Sequence, residues 1–167
     1  ITGHSRGGKS ALLAGATDDR IALTNPNCSG AGGSGPNRMK GEGAEMIEDF
    51  LRNRYVFWFG RGFADYAGRD EELPYDQHFL HALIAPRALL VTEAFGDPWA
   101  NPLGSYSALR TAEQVYRMLG AADAIGWVFR PGGHDHSATD YGALLDFADR
   151  SLRGLDVKRD VQLGLFG

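Results

Sequence analysis

The residues best suited to chemistry stand at the start of the chain, Ile1-Thr2-Gly3-His4-Ser5-Arg6-Gly7-Gly8-Lys9. Gly-x-Ser-x-Gly is the spacing of a nucleophile elbow. In that turn a strand passes into a helix so abruptly that the serine is held in a strained backbone conformation, with its hydroxyl lifted above the sheet. Glycines two residues to either side leave room for the chain to pass. A serine so placed performs acyl transfer, provided that a histidine takes its proton and a carboxylate orients the histidine. Glycine and serine are common in ordinary loops, so the pattern alone is weak. Ser5 as a plain helix N-cap is the competing reading.

Two later segments supply the partners. Pro86-Arg87-Ala88-Leu89-Leu90-Val91-Thr92-Glu93 reads as a buried strand, followed by a loop that carries Asp97. Ile125-Gly126-Trp127-Val128-Phe129-Arg130 reads as another, and its loop, Pro131-Gly132-Gly133-His134-Asp135-His136, delivers a histidine. Acid and base each fall just past the carboxyl end of a strand, where open α/β sheets build their sites. Ser, then Asp, then His is also the chain order of the α/β-hydrolases. The expected triad is Ser5, Asp97 and His134. His136 competes with His134, and Glu93, ending its strand, competes with Asp97. Asp135 and Asp140 read more simply as a loop carboxylate and a helix cap.

The elements that must position these groups follow from periodicity and breakers. A small-residue apolar helix is expected from the elbow to about Thr17, then a short strand, Ile21–Thr24. A glycine-rich loop is expected from Asn25 to Gly43, long enough to signal function or mobility. Helical pieces are expected over Glu45–Tyr55 and the aromatic run Tyr55–Phe59, lying over the site. Leu73–His78 should cap a helix through Ile84, stopped by Pro86. Helices are expected over Leu103–Leu119 and Tyr141–Leu152, and a frayed tail over Val157–Gly167.

The chain has 167 residues, 43% of them hydrophobic, enough for a soluble globular α/β domain. A net charge of −4 and no basic stripe argue against nucleic acid. No apolar run is long enough to span a bilayer. One cysteine, Cys28, excludes an internal disulfide, and without an elbow of its own it reads as an inert buried thiol. No cluster of His, Cys and carboxylates has metal-ligand spacing, so neither metal nor other cofactor is expected. Several strands normally precede an elbow of this kind. The chain is therefore read as the carboxyl-terminal portion, 1–167, of one α/β-hydrolase catalytic domain, a three-layer α/β/α sandwich truncated before the elbow. On its own such a portion would leave a sheet edge bare.

Gly3-His4-Ser5-Arg6-Gly7-Gly8-Lys9 resembles the G-C/H-S-R-x-G-K signature of the carbohydrate esterase family 15 glucuronoyl esterases. Ser29–Gly33, Gly41-Glu42, Trp58-Phe59, Asp76-Gln77-His78, Ala85-Pro86-Arg87, Asp97–Gly104 and Gly132-Gly133-His134 resemble the bacterial branch of that family. The resemblance implies cleavage of the ester between glucuronic acid, or its 4-O-methyl ether, and an alcohol. The target it implies is the bond joining glucuronoxylan to lignin alcohols. It gives Arg6 the oxyanion and gives Lys9, Glu42 and Trp99 the sugar, with Gln77 and His78 as further candidates. It also implies a secreted or periplasmic enzyme acting as a monomer.

Fungal members of the family carry the catalytic acid as a glutamate in the loop after the second strand. Here that loop reads Asn25-Pro26-Asn27-Cys28-Ser29-Gly30 and offers no carboxylate, which throws the role onto Asp97. An acetyl xylan esterase or a general carboxylesterase of the same fold is the alternative, and charged partners for ring hydroxyls at Lys9 and Glu42 count against it. A carbohydrate-binding remnant without activity is the reading from outside the enzymes.

Overall fold

The computed structural model describes residues 1–162. Four strands form one sheet in the order β1 (Thr2–His4), β2 (Leu23–Asn27), β3 (Ala88–Ala94) and β4 (Ile125–Arg130), every neighbouring pair parallel. Strand β3 is buried from end to end, as its run of Leu89, Leu90 and Val91 requires in a parallel sheet covered on both faces.

Alternation along β3 divides the core in two. Leu89 and Val91 face α1 (Arg6–Thr17), α3 (Gln77–Ile84) and α4 (Pro102–Met118), packing with Leu12, Ile84, Leu109, Tyr116 and Trp127. Ala88 and Leu90 face α5 (Ala138–Arg153), packing with Ala143, Phe147 and Val161. The result is the expected three layers, helices on both sides of a parallel sheet.

The helices start where capping residues dictate. Asp76 accepts a hydrogen bond from the Gln77 N–H at the start of α3, and Asn101 accepts from the Gly104 N–H at the start of α4, just ahead of Pro102. Ser137 and Asp140 form a reciprocal capping box on α5, which Gly154 ends in the left-handed conformation.

Several boundaries differ from the sequence expectation. Strand β2 starts two residues later than expected and ends three later, extending through Pro26 and Asn27, because the side-chain amides of Asn25 and Asn27 bond across to β3 at Leu90 and Thr92. The region Glu45–Tyr55 condenses to α2 (Ile47–Arg52), followed by short 3₁₀ turns. The tail is not frayed as far as it is described. Val161 is buried, and its carbonyl accepts the Trp127 N–H beside β4. Residues 163–167 lie outside the described region. Among the described residues, no helix is long and apolar enough to cross a membrane.

Candidate active site

Ser5 stands between β1 and α1 with φ 55° and ψ −121°, a positive φ that a non-glycine residue adopts only under constraint. The constraint is visible. The Ser5 N–H donates to the Asn27 carbonyl at 2.9 Å, while its own carbonyl accepts from the N–H groups of Gly8 and Lys9. A Cβ at Gly3 would collide with the Gly7 carbonyl, and one at Gly8 would lie 2.8 Å from the Ser29 Cβ. The close approaches are therefore at Gly3 and Gly8. A Cβ at Gly7 meets none of the described residues, against the expectation of glycine-driven clearance on both sides.

The loop after β4 brings His134 over the serine. Its Nε2 is 2.9 Å from Ser5 Oγ, and its Nδ1 is 2.6 Å from Asp97 Oδ2. Asp97 is 3% exposed and also accepts the Ala100 N–H on Oδ1. Both loops leave the carboxyl ends of adjacent parallel strands, which is why groups 37 residues apart meet. His136 does not reach Ser5. It stacks on Tyr141 at 4.0 Å, and burial pushes its imidazole below the ordinary histidine range. Glu93 does not reach His134 either, because its carboxylate is fully buried and accepts from Ser105 Oγ at 3.1 Å.

One neighbour was not singled out from sequence. The His4 ring lies 4.7 Å from that of His134. Its Nδ1 is 2.7 Å from Asn27 Oδ1, and since the Asn27 amide nitrogen donates to Thr92, that oxygen is the acceptor and His4 Nδ1 carries the proton. A residue inside the elbow motif thus forms a wall for the histidine.

Below Ser5 and His134 opens a cavity of about 200 Å³, lined among others by Lys9, Glu45, Tyr55, Trp58 and Trp99. One residue expected at the sugar does not line this cavity. Glu42 is exposed and outside that lining, whereas Glu45, three positions on, is 7% exposed and inside it. Glu45 Oε2 accepts a hydrogen bond from Lys9 Nζ at 2.6 Å, and the Trp99 indole donates to the same carboxylate. The signal missed was position: Glu45 sits two residues before α2, whose buried Ile47 and Phe50 carry that backbone inward.

Lys9 is also different from expectation. Its ammonium is buried and donates to the Ser29 carbonyl (2.7 Å), the Ala31 carbonyl (2.7 Å) and Glu45, so each of its three protons already has an acceptor. It fastens the glycine-rich loop to the elbow helix. Burial pushes the Lys9 pKa down and the Glu45 pKa up, each opposed by the other's charge. Lys9→Met should therefore destabilise the protein by about 3–5 kcal/mol, because it strands a buried carboxylate. Urea denaturation checks it. The Lys9→Met, Glu45→Gln double variant should recover part of the loss.

Arg6 is exposed, its guanidinium 5.2 Å above the Trp58 ring. It lines a neighbouring cavity of about 330 Å³ together with Gln77, while His78 lines neither cavity and packs on Phe79. Trp99, 41% exposed, forms part of the first cavity's wall. Cys28 is buried, and burial raises its thiol pKa far out of the reactive range. Among the described residues, no group of three His, Cys, Asp or Glu side chains is placed to hold a metal ion.

Two buried groups shape the pH dependence of stability. Burial pushes Glu93 up to about 8 from 4.5 and His81 down to about 3 from 6.5. The folded state holds Glu93 neutral where the unfolded chain ionises it. Its contribution is therefore full below about pH 4.5 and is lost as pH rises through 8. His81 works in the opposite direction, costing stability as pH falls from 6.5 towards 3. Glu93→Gln should flatten the alkaline side of the curve by roughly 1.4 kcal/mol per pH unit at most. In the wild type the two groups offset each other between pH 5 and 6.5, so measured Tm should stay nearly level there and fall from pH 6.5 to 8, whereas in the variant it should rise to about pH 6.5 and then stay level.

A family model described as "Glucuronyl esterase, fungi" matches residues 1–120. Carbohydrate esterase MZ0003 of an unknown prokaryotic organism is 40% identical, over 92% of this chain and 38% of its own length. A carbohydrate esterase family 15 glucuronoyl esterase from Caldicellulosiruptor kristjansonii superposes with TM-score 0.95 at 38% identity, over 100% of this chain and 46% of that one. A serine-to-alanine glucuronoyl esterase of Sporotrichum thermophile in complex with methyl 4-O-methyl-β-D-glucopyranuronate superposes with TM-score 0.82 at 28% identity, over 99% and 47%. The chain spans less than half the length of each of these relatives.

Proposed function

The chain belongs to the glucuronoyl esterase family and has its α/β-hydrolase fold, and we propose that it is the carboxyl-terminal portion of a catalytic domain that hydrolyses esters of glucuronic acid or 4-O-methyl-glucuronic acid. The observation that carries this reading is the chain of contacts from Asp97 through His134 to Ser5, at 2.6 and 2.9 Å, opening on a cavity with a buried carboxylate and an indole.

The mechanism follows from those contacts. Ser5 Oγ attacks the C6 carbonyl while His134 Nε2 takes its proton, and Asp97 stabilises the imidazolium. The carbonyl π electrons move onto oxygen. The oxyanion so formed lies at the amino end of α1, where backbone N–H groups have no intrahelical acceptor, and Arg6, which stays charged and carries five donors, reaches it by swinging from its place over Trp58. Collapse breaks the bond to the alcohol, which leaves with the proton from His134. Water, deprotonated by His134, then attacks the acyl-serine, and collapse breaks the bond to Ser5 Oγ, which takes that proton back from His134 as the uronic acid is released.

Ring hydroxyls are taken by Glu45, whose carboxylate accepts, against the indole of Trp99. Lys9 holds Glu45 in place, and it touches the sugar only by giving up one of its three acceptors. The substrate in nature is the ester between glucuronoxylan and lignin alcohols, and the enzyme acts as a secreted or periplasmic monomer. These points rest on family resemblance.

The test compares benzyl glucuronate with para-nitrophenyl acetate in the parent protein. Preferential turnover of the uronate ester, reduced by Glu45→Ala mainly through KM, supports the reading. Turnover of the acetate alone overturns it and leaves a general carboxylesterase.

A further inference from the structure

The loop that delivers His134 is a poor platform by composition. Pro131–Asp135 includes two glycines, all five residues are exposed, and a turn of that kind has many accessible conformations. Yet the Nε2–Oγ contact tolerates little drift, since a misplacement of about 1 Å costs on the order of 100-fold in rate. Something outside the loop must hold it.

We propose that Arg130 is a positioning residue that sets His134 over Ser5 through the Pro131–Asp135 turn, an inference that rests on the esterase reading above. Arg130 ends β4, and its side chain is 6% exposed. Its Nη1 donates to the Pro131 carbonyl at 3.1 Å, and its Nη2 donates to both the carbonyl and Oδ1 of Asp135 at 2.6 Å. Those acceptors bracket His134 on both sides along the chain. The Nε–H donates to Asp140 Oδ2 at 2.7 Å, and that carboxylate is fully buried at the start of α5, where it also accepts the N–H and hydroxyl of Ser137. The guanidinium is thus anchored on a rigid helix and strand and reaches out to clamp the turn. Its planar fork spans these acceptors at once, which an ammonium cannot do.

A second fastening transmits the effect. The Phe95 N–H donates to the Arg130 carbonyl, and the Gly96 N–H donates to the Gly132 carbonyl, both at 2.9 Å. The loop bearing Asp97 is thereby zipped to the one bearing His134. Acid and base move together, and Arg130 sets where the pair stands relative to the elbow.

The experiment uses the parent protein and its Arg130→Gln, Arg130→Lys and Asp135→Ala variants. Two readouts are followed: hydrolysis of methyl glucuronate, and the rate of covalent labelling of Ser5 by a fluorophosphonate, which needs the histidine but not the sugar pocket. Arg130→Gln should lower kcat and the labelling rate together by about 10- to 100-fold while KM stays within about twofold. Arg130→Lys should recover only a small part. Asp135→Ala, which removes one of the four bonds from an exposed side chain, should slow labelling by a few-fold and covers the case in which Arg130→Gln does not fold. The low-field NMR signal of the His134 Nδ1 proton should broaden in Arg130→Gln.

A folded Arg130→Gln enzyme with unchanged kcat and labelling, or one that loses only thermal stability, overturns the proposal. So does an Asp135→Ala variant labelled at the wild-type rate. Wild-type protein that resists the fluorophosphonate overturns the serine-esterase reading itself. Wild type that is labelled but leaves methyl glucuronate intact overturns the substrate, and the role of Arg130 is still read from labelling.

Discussion

Ser5→Ala is expected to lower kcat for a glucuronate ester by roughly four to six orders of magnitude while leaving the fold intact. The size follows from what remains. Without Oγ no acyl-enzyme forms, and the nearby alternatives are poor. Cys28 lines the same cavity, but burial keeps its thiol protonated. His134 loses the proton it is placed to accept. The substitution should not destabilise the fold, because Ser5 makes no side-chain cap bond to α1 and its positive φ strains alanine no more than serine. Equal Tm values for wild type and variant, with methyl glucuronate turnover followed by titration of released acid, check both halves of the expectation. A variant retaining more than about 1% of kcat would mean that Ser5 is not the nucleophile.

What sequence showed of this site, and what it hid, divides along a physical line. That Ser5, Asp97 and His134 come together was legible because each is tied to a local rule: a strained turn, or a loop leaving a buried strand. His134 was separable from His136 only in part, since the deciding fact is the stacking of His136 on Tyr141, a contact with α5. Glu42 was named from the family resemblance, and Glu45 was not considered, because a loop of irregular backbone has no periodicity from which to read which carboxylate turns inward. Lys9 was given to the sugar by the family resemblance alone, a solvated place on the helix face being the plain reading of the residue. Its burial depends on Ser29, Ala31 and Glu45 closing over it, which no local pattern encodes. Val161 was assigned to a frayed tail for the same reason, its partner being the far-off edge of β4.

Asp97→Asn is expected to cost about 10⁴-fold in kcat, nearly as much as loss of the serine, and without displacing any atom appreciably. The acid's two oxygens have separate duties. Oδ1 accepts the Ala100 N–H and Oδ2 faces His134 Nδ1. In the variant an amide nitrogen turned towards the Ala100 N–H would set two donors against each other, so the amide oxygen stays there and the amide nitrogen faces the imidazole. That nitrogen donates, and Nδ1 must then accept. The histidine is driven to the tautomer with its proton on Nε2, where it can take nothing from Ser5. Glu93 cannot take over. It lies near the end of β3, the strand that leads into the Asp97 loop, but it is fully buried, engages Ser105, and is held neutral to about pH 8 chiefly by burial, with the charge of Asp97 adding to the rise. Glu93→Gln should accordingly leave kcat within a few-fold at pH 7, against the four orders expected at Asp97. Steady-state kinetics of both variants on methyl glucuronate, from pH 6 to 9, decide between the two carboxylates. If Asp97→Asn retained activity while Glu93→Gln lost it, the acid would belong to the strand rather than to the loop. The wild-type profile would then have to rise through pH 8, where Glu93 becomes a carboxylate.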